Sequence, residues 1–188
     1  MTRPAGYGLA SILLHWLGAL AVFGLFGLGL WMTGLDYYHP WYRRAPDLHR
    51  GIGVLVIALF VLRLIWNLSR PRPRPLGRPW EHKAAVAMHH ALYLLVFLIG
   101  ISGYLISTAD GRALSVFGWF EIPALVTSVD NLEDRAGDVH YLLAVALMIL
   151  AGVHALAALK HHFIDRDATL TRMLGRHHRL NQDEEQTP

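Results

Sequence analysis

The chain has 188 residues, of which 54% are apolar and only 16% charged, with a formal net charge of +3. A mean hydropathy of +0.33 excludes an ordinary soluble domain and predicts a membrane protein. The chain has no cysteine, which excludes disulfides, iron–sulfur clusters, thiolate zinc sites and c-type haem attachment, and leaves twelve histidines as the strong metal ligands.

Four apolar runs are each long enough to cross a bilayer, which takes about 20 residues. They predict helices over about residues 8–35, 47–69, 83–109 and 137–163. The first run is much longer than the apolar region of a signal peptide, so we expect it to stay in the mature chain. The sequence thus predicts an all-α, integral membrane four-helix bundle over residues 1–176, followed by a disordered tail over 177–188.

The connections between these helices differ in character. The first external connection, residues 36–48, is rich in Tyr and Trp and suits a membrane interface. The run RPRPRP at 70–75 predicts an extended connector, because its prolines exclude helix. The second external connection, residues 110–138, is longer and is predicted to contain a short interfacial helix.

The distribution of charge predicts how the bundle is oriented. Twelve of the 17 Lys and Arg residues lie on one side if both termini share it, whereas the opposite side has five together with eight acids. By the positive-inside rule, the side with both termini is cytoplasmic. The sequence pI near 9.4 therefore reflects topology and predicts no nucleic-acid partner.

Two histidines share one face of the fourth run, VHYLLAVALMILAGVHALAALKHH at 139–162. His140 and His154 are fourteen residues apart, within about 40° of whole helical turns and about 21 Å along the axis. Counted from the middle of the run, His154 lies about 7 Å to the cytoplasmic side and His140 about 13 Å to the outside. One helix therefore carries two potential ligands at two depths.

Two other histidines match these depths. By the same count His15 lies about 7 Å to the cytoplasmic side of the middle of the first helix, and His49 lies about 13 to 14 Å to the outside of the middle of the second. Facing side chains in a bundle core are where cofactors are held. The pairs His15 with His154 and His49 with His140 thus predict bis-histidine ligation of two b-type haems, with Arg63 placed to pair with a propionate of the inner haem.

Other interpretations of these residues stay open. A membrane histidine can simply hydrogen-bond across helices, and Arg63 can extend to the headgroups. His89 or His90, about 10 to 12 Å to the cytoplasmic side of the middle of the third helix, could replace an inner ligand. A histidine-based metal transporter without haem is disfavoured, because the apolar runs within the four predicted helices lack Asp and Glu and the histidines are split between two depths.

Several strings of the sequence carry a family resemblance: LLHWLG at 13–18, DYYHPWYRRAPDLHRGIG at 36–53, LRLIW at 62–66, HHALYLLVFLIGISGYL at 89–105 and HALAALKHHFIDRDATLTRML at 154–174. Together they resemble the prokaryotic cytochrome b561 family over nearly the whole chain. The resemblance implies a di-haem cytochrome of the bacterial inner membrane, with haem ligands at His15, His49, His140 and His154.

The resemblance also implies a membrane oxidoreductase. It implies electron exchange with ubiquinone and, by analogy with the family's best-defined member, oxidation of superoxide on the periplasmic face with the electrons passed to quinone. His161 matches a position associated with the quinone site, and its alternative is a headgroup-facing histidine. A second function retains the haems and makes the chain a cytochrome b subunit that relays electrons between the quinone pool and a periplasmic redox partner.

Three arginines, Arg43, Arg44 and Arg50, cluster beside His49 on the side that is otherwise poor in positive charge. A local cationic cleft raises the concentration of a small anion, so these residues could attract superoxide. The second external connection carries six acids against two arginines. The attraction therefore requires the arginines to lie apart from those acids, which in the relay function would form a docking surface.

Overall fold

A computed structural model describes residues 6–71, 73, 76–127 and 129–175. The tail predicted over 177–188 and three positions of the connector 70–75 lie outside the described residues. The described elements are α1 (Leu9–Thr33), α2 (Arg44–Ser69), α3 (Pro79–Thr108), β1 (Leu114–Val116), β2 (Phe120–Ile122), α4 (Leu132–Phe163) and α5 (Thr169–Met173).

Four helices of 25 to 32 residues are long and apolar enough to cross a membrane, and their most apolar windows have mean hydropathies of 2.0 to 2.5. This confirms the prediction of four spanning helices. In sequence order each packs against the next, so α1 contacts α2, α2 contacts α3 and α3 contacts α4. The result is a helical bundle in which helices that follow one another in sequence are neighbours.

Three of these helices begin before the start expected from hydropathy. The structure begins α2 at Arg44, α3 at Pro79 and α4 at Leu132, against expected starts of 47, 83 and 137. In α3, Pro79 occupies the first turn with its φ already fixed, and Glu81 accepts the backbone N–H of Arg78 at 2.8 Å. Polar first turns extend all three helices beyond the apolar runs that hydropathy detects, and the one in α3 is capped.

The described chain begins and ends at the same end of the bundle. The Trp16 indole, near the start of α1, donates a hydrogen bond to the carbonyl of Met173 in α5 at 2.9 Å. We call this the α5 end, and it also contains the connection between α2 and α3. The opposite end, with the two longer connections, is the hairpin end.

The prediction of an interfacial helix in the second long connection is wrong for the described residues, which form an antiparallel hairpin. Leu114 pairs with Ile122 and Val116 with Phe120. Between the strands, Phe117 and Gly118 have φ values of 52° and 73°, as a hairpin turn with the twist of the strands requires. The GWFEIP segment therefore favours a strand because its turn and aromatic residues suit a hairpin better than a helix.

The hairpin is held against the bundle at two points. The Phe117 ring lies so close to Gly51 of α2 that a Cβ there would come within 2.5 Å of the ring. On α3, the Tyr104 hydroxyl donates to the Pro123 carbonyl at 2.7 Å and accepts the Leu125 N–H at 2.8 Å. The hairpin therefore covers the end of the bundle at which His49 lies.

The buried apolar cluster of the described chain lies in the middle of the bundle. It consists of Val56, Phe60, Val96 and Leu147, from three helices. Leu147 lies midway between His140 and His154 on α4, and Val56 and Phe60 follow His49 on α2. An apolar layer thus separates the two depths at which the histidines lie.

Candidate functional site: two histidine pairs

The pair at the hairpin end joins α2 to α4. The ring centroids of His49 and His140 are 6.1 Å apart, with an angle of 70° between the ring planes. Both residues are half-buried, and each is held on a membrane-spanning helix. The structure thus brings together two of the four histidines that the depth count paired.

Hydrogen bonds fix the tautomer of His140. Its Nδ1 lies 3.1 Å from the Ile99 carbonyl oxygen, which can only accept a hydrogen bond. Nδ1 therefore carries the proton, and Nε2 keeps the lone pair that a metal requires. The Ser102 hydroxyl lies 3.1 Å from the same Nδ1 and donates its own hydrogen to Ile99 at 3.0 Å.

Two glycines make room for the rings of this pair. A Cβ at Gly29 of α1 would lie 3.2 Å from Cε1 of His49, and a Cβ at Gly103 of α3 would lie 3.1 Å from Cε1 of His140. Either distance is tighter than an ordinary van der Waals contact. Each imidazole thus has its Nδ1–Cε1 edge against a helix backbone, which leaves its other edge free to face a ligand.

The pair at the α5 end joins α1 to α4. The ring centroids of His15 and His154 are 6.3 Å apart, with an interplanar angle of 64°. Here the neighbour is a cation, because Arg63 Nη2 lies 2.8 Å from Nδ1 of His15. The same guanidinium lies over the rings of Phe60 and Tyr93, at 5.9 and 5.7 Å from their centroids. Arg63 therefore faces the bundle interior at this pair and does not extend to the headgroups.

A third histidine lies close to this pair. The His89 ring is 5.1 Å from that of His154, and its Nδ1 donates to the Ala85 carbonyl at 2.6 Å. His90 points elsewhere, into a shallow cleft that it lines with His82 and Lys83. Among the described residues, His89 is thus the one alternative ligand that lies beside the predicted inner pair.

The spacing of both predicted pairs suits a metal ion held between them. An imidazole nitrogen lies about 1.1 Å from its ring centre and binds a metal at about 2.0 Å, so two facing ligands have centroids about 6 Å apart. The observed 6.1 and 6.3 Å fit this value, whereas the 5.1 Å between His89 and His154 is too short. The fit favours His15 over His89 as the partner of His154.

A cluster of charges lies at the α5 end, around the predicted quinone residue. Nδ1 of His161 lies 2.9 Å from a carboxylate oxygen of Asp165 and 3.0 Å from one of Asp167. Lys160 Nζ lies 2.7 Å from both Glu81 and Asp165. Because the ammonium already pairs with these two acids, the grouping of Glu81, His161 and Asp165 does not need a metal ion to balance its charge.

The three outer arginines are not equivalent. Arg43 and Arg44 line a cavity of about 370 Å³ together with Tyr37, His39, Pro40 and Tyr42. Among the described residues, its lining includes two guanidinium groups and no carboxylate. Arg50 instead forms an ion pair with Asp47 of the same helix. Among the described residues, the positive charge of this region that has no ion-pair partner is therefore at Arg43 and Arg44.

Two contributors to the site were missed in the sequence. Ser102 gave no signal, because a serine in a membrane helix commonly bonds to the carbonyl one turn before it. Phe117 was not identified because it lies in the connection that was predicted to contain a short helix. Gly29 and Gly103 contribute as well, because each lets a helix backbone approach one of the histidine rings.

Together the fold and the site define a class of protein, a membrane-spanning helical bundle with two stacked histidine pairs suited to metal ligation. The sequence model of the prokaryotic cytochrome b561 family matches residues 6–176, and the chain belongs to this family. It is a multi-pass bacterial membrane protein of electron transfer, and membership of a cytochrome b family implies haem b.

Several curated relatives match this chain over nearly their full length. "Cytochrome b561 homolog 2" of Escherichia coli (strain K12) is 51% identical over 175 residues, which is 92% of this chain and 93% of the relative. "Probable superoxide oxidase CybB" of Yersinia pestis is 30% identical, over 89% of this chain and 95% of its own. "Cytochrome b562" of Cereibacter sphaeroides is 28% identical, over 93% of this chain and 98% of its own.

Proposed function

We propose that the chain is a di-haem oxidoreductase of the bacterial inner membrane that oxidises superoxide at the hairpin end and reduces ubiquinone at the α5 end. Both termini are then cytoplasmic and the hairpin end is periplasmic. Two superoxide anions each lose one electron and leave as dioxygen. One quinone gains two electrons and two protons and becomes quinol.

The observation that carries the proposal is the spacing of the histidine pairs, 6.1 and 6.3 Å between ring centroids. His49 with His140 and His15 with His154 would each hold one haem b between their imidazoles. When bound, the haems would supply one-electron chemistry at two levels, about 21 Å apart along α4. Arg63 would balance propionate charge at the inner level.

At the hairpin end the protein would concentrate a small anion. Arg43 and Arg44 line a cavity whose described lining has no carboxylate, so their field is not cancelled locally. Such a cationic surface attracts anions and raises the rate of encounter, and its effect falls as salt screens it. The paired Arg50 contributes less than expected, because Asp47 balances its charge.

At the α5 end the protein would supply protons to the quinone. The pKa of Asp167 lies below its ordinary value: burial raises it, but hydrogen bonds from Thr169 and the contact with His161 outweigh that effect. Asp167 is therefore ionised at neutral pH, and its carboxylate lies 3.0 Å from Nδ1 of His161. An imidazole so placed can donate a hydrogen bond or a proton to a quinone oxygen.

The test is the decay of a superoxide pulse added to purified protein with a short-chain ubiquinone. We expect faster decay than with haem-free protein and one quinol formed for every two superoxide anions consumed. The Arg43→Gln/Arg44→Gln variant should slow the reaction and weaken its salt dependence, whereas Arg112→Gln, at an exposed residue already paired with Asp110, should not. Decay at the rate of the haem-free protein would exclude the superoxide activity.

The relay function is the second candidate, and one surface favours it. At the hairpin end Trp119 and Leu125 are 72% and 78% exposed. Exposed aromatic and aliphatic side chains next to an acidic loop suit a redox partner. Quinol-driven reduction of a copurifying periplasmic protein, lost in Trp119→Ala/Leu125→Ala, would support the relay, and superoxide activity without any partner would argue against it.

A further inference from the structure

Ser102 is a buried polar residue in the last third of the membrane-spanning helix α3, with 5% of its surface exposed. Its hydroxyl has one hydrogen, which it donates to the Ile99 carbonyl at 3.0 Å. The hydroxyl oxygen is therefore an acceptor toward Nδ1 of His140, 3.1 Å away. The single N–H of His140 is thus shared between two acceptors, Ser102 Oγ and the Ile99 carbonyl.

We propose that Ser102 is a positioning residue for the outer centre, fixing the orientation of His140 and lowering the reduction potential of the metal that His140 binds. The inference rests on the proposed function, because it requires His140 to be a haem ligand. Acceptors on the distal ring nitrogen increase the basicity of the ligating nitrogen. A more basic ligand favours the ferric over the ferrous state, which lowers the potential.

The inner centre has a neighbour of the opposite kind. There a cation, the Arg63 guanidinium, lies 2.8 Å from Nδ1 of His15. A positive charge near a metal disfavours the more positive ferric state and raises the potential. Ser102 at one level and Arg63 at the other therefore both favour movement of an electron from the hairpin end to the α5 end.

The test is a redox titration of purified holoprotein, followed by the haem absorbance, in a His15→Ala background that retains the outer centre alone. We expect Ser102→Ala to leave the haem content of this protein unchanged and to raise its midpoint potential. We expect the equilibrium constant for reduction of the ferric haem to rise two- to tenfold. A tenfold rise corresponds to an increase of about 59 mV in the midpoint potential for one electron. The low-spin ferric EPR signal should shift as well, because the ring loses one of its restraints.

Two further variants distinguish a positioning role of Ser102 from a role in packing alone. Ser107, five residues later in α3, gives its hydroxyl to the Gly103 carbonyl at 2.8 Å, so Ser107→Ala removes a comparable hydroxyl and should not shift the potential. Ser102→Thr keeps the hydroxyl and should restore the original potential. An unchanged potential and EPR signal in Ser102→Ala would overturn the inference, as would equal haem loss in the Ala and Thr variants. Absence of any haem from His15→Ala itself would instead refute the proposed di-haem function.

Discussion

At the scale of single residues, the site depends on backbone positions that leave space for imidazole rings. Gly29 and Gly103 press against His49 and His140, and a Cβ at either would lie 3.1 to 3.2 Å from a ring carbon. Interiors are packed closely enough that such a methyl group forces its neighbour to shift. The shift would move the ring that has to face the opposite histidine.

Gly29→Ala is therefore expected to weaken the outer centre. The matched control is Gly27→Ala in the same helix, where a Cβ meets nothing within 4 Å. Alanine is the better helix former by about 1 kcal/mol, so Gly27→Ala should be neutral or stabilising. The measurement is the haem content of each purified variant by absorbance. We expect the haem content of Gly29→Ala to decrease toward one haem for each chain and that of Gly27→Ala to stay at two. Equal haem content in the two variants would show that the close contact at Gly29 is unimportant.

The pairing of the four histidines could be predicted from the sequence, but the side chains that surround them could not. Helical periodicity and depth count depend only on position along the chain, so they paired His15 with His154 and His49 with His140. The contacts of Ser102 and Arg63 depend on side-chain conformations across helices. They could not be obtained from spacing, which placed Arg63 at the inner level without showing that it meets His15.

At the scale of secondary-structure elements, the hairpin covers the outer centre and the α4–α5 turn forms the opposite end. The hairpin was missed because its strands are three residues each and lie in a connection with no clear periodicity. Hydropathy defines long apolar helices well and short interfacial elements poorly. The same limitation explains why three spanning helices begin before their apolar runs.

The contact between Gly51 and Phe117 predicts how the hairpin is attached. In Gly51→Ala the new methyl group would overlap the ring, with 2.5 Å to its nearest carbon, so the hairpin should detach and residues 110–131 should become sensitive to protease. In the double variant Gly51→Ala/Phe117→Ala the overlap is removed, and protease resistance should partly return. Additive effects of the two substitutions in this double-mutant cycle would contradict a direct contact.

The turn between α4 and α5 predicts a response to acid. Asp167 accepts the Thr169 N–H at 2.8 Å, and its pKa is lowered in the folded state from an ordinary value of 3.8. A carboxyl with a lowered pKa stabilises the fold above its unfolded-state pKa and loses that contribution as pH falls through the folded-state value. Exchange protection of residues 169–173, corrected for intrinsic rates, should therefore fall below about pH 3.8 in the natural chain.

In Asp167→Asn the same segment should be less protected already at pH 7 and should change little with acid. The readout is hydrogen exchange of the α5 peptide by mass spectrometry, compared with a peptide from the middle of α3 as an internal control. An acid response in the variant as large as that of the natural chain would assign the effect to another group.

At the scale of the whole molecule, the distribution of charge predicts the orientation of the bundle, and the depth of the histidines predicts two levels of ligation. The family, the membrane class and the four helices follow from composition, hydropathy and motif strings, and all are confirmed. The orientation stays a prediction from the positive-inside rule. The orientation determines which histidine pair lies near the periplasm. It therefore also determines the direction in which the proposed reaction would move electrons across the membrane.

The absence of native cysteine makes the orientation easy to test. A single cysteine at Thr127, at the hairpin end, should react with a membrane-impermeant thiol reagent added to spheroplasts, because we place this end in the periplasm. A single cysteine at Arg166, at the α5 end, should react only after the membrane is permeabilised. The reverse pattern would place the termini outside and require quinone reduction and superoxide oxidation to exchange sides.

The most direct test of the central claim is the number of haems for each chain in purified protein and its histidine variants. Two haem b groups are expected in the natural chain, one in His49→Ala/His140→Ala, and one in His15→Ala/His154→Ala, with a different midpoint potential for each remaining centre. His89→Ala should keep both haems. A natural chain with a single haem, or pair variants that lose neither or both together, would contradict two independent centres held by these four histidines.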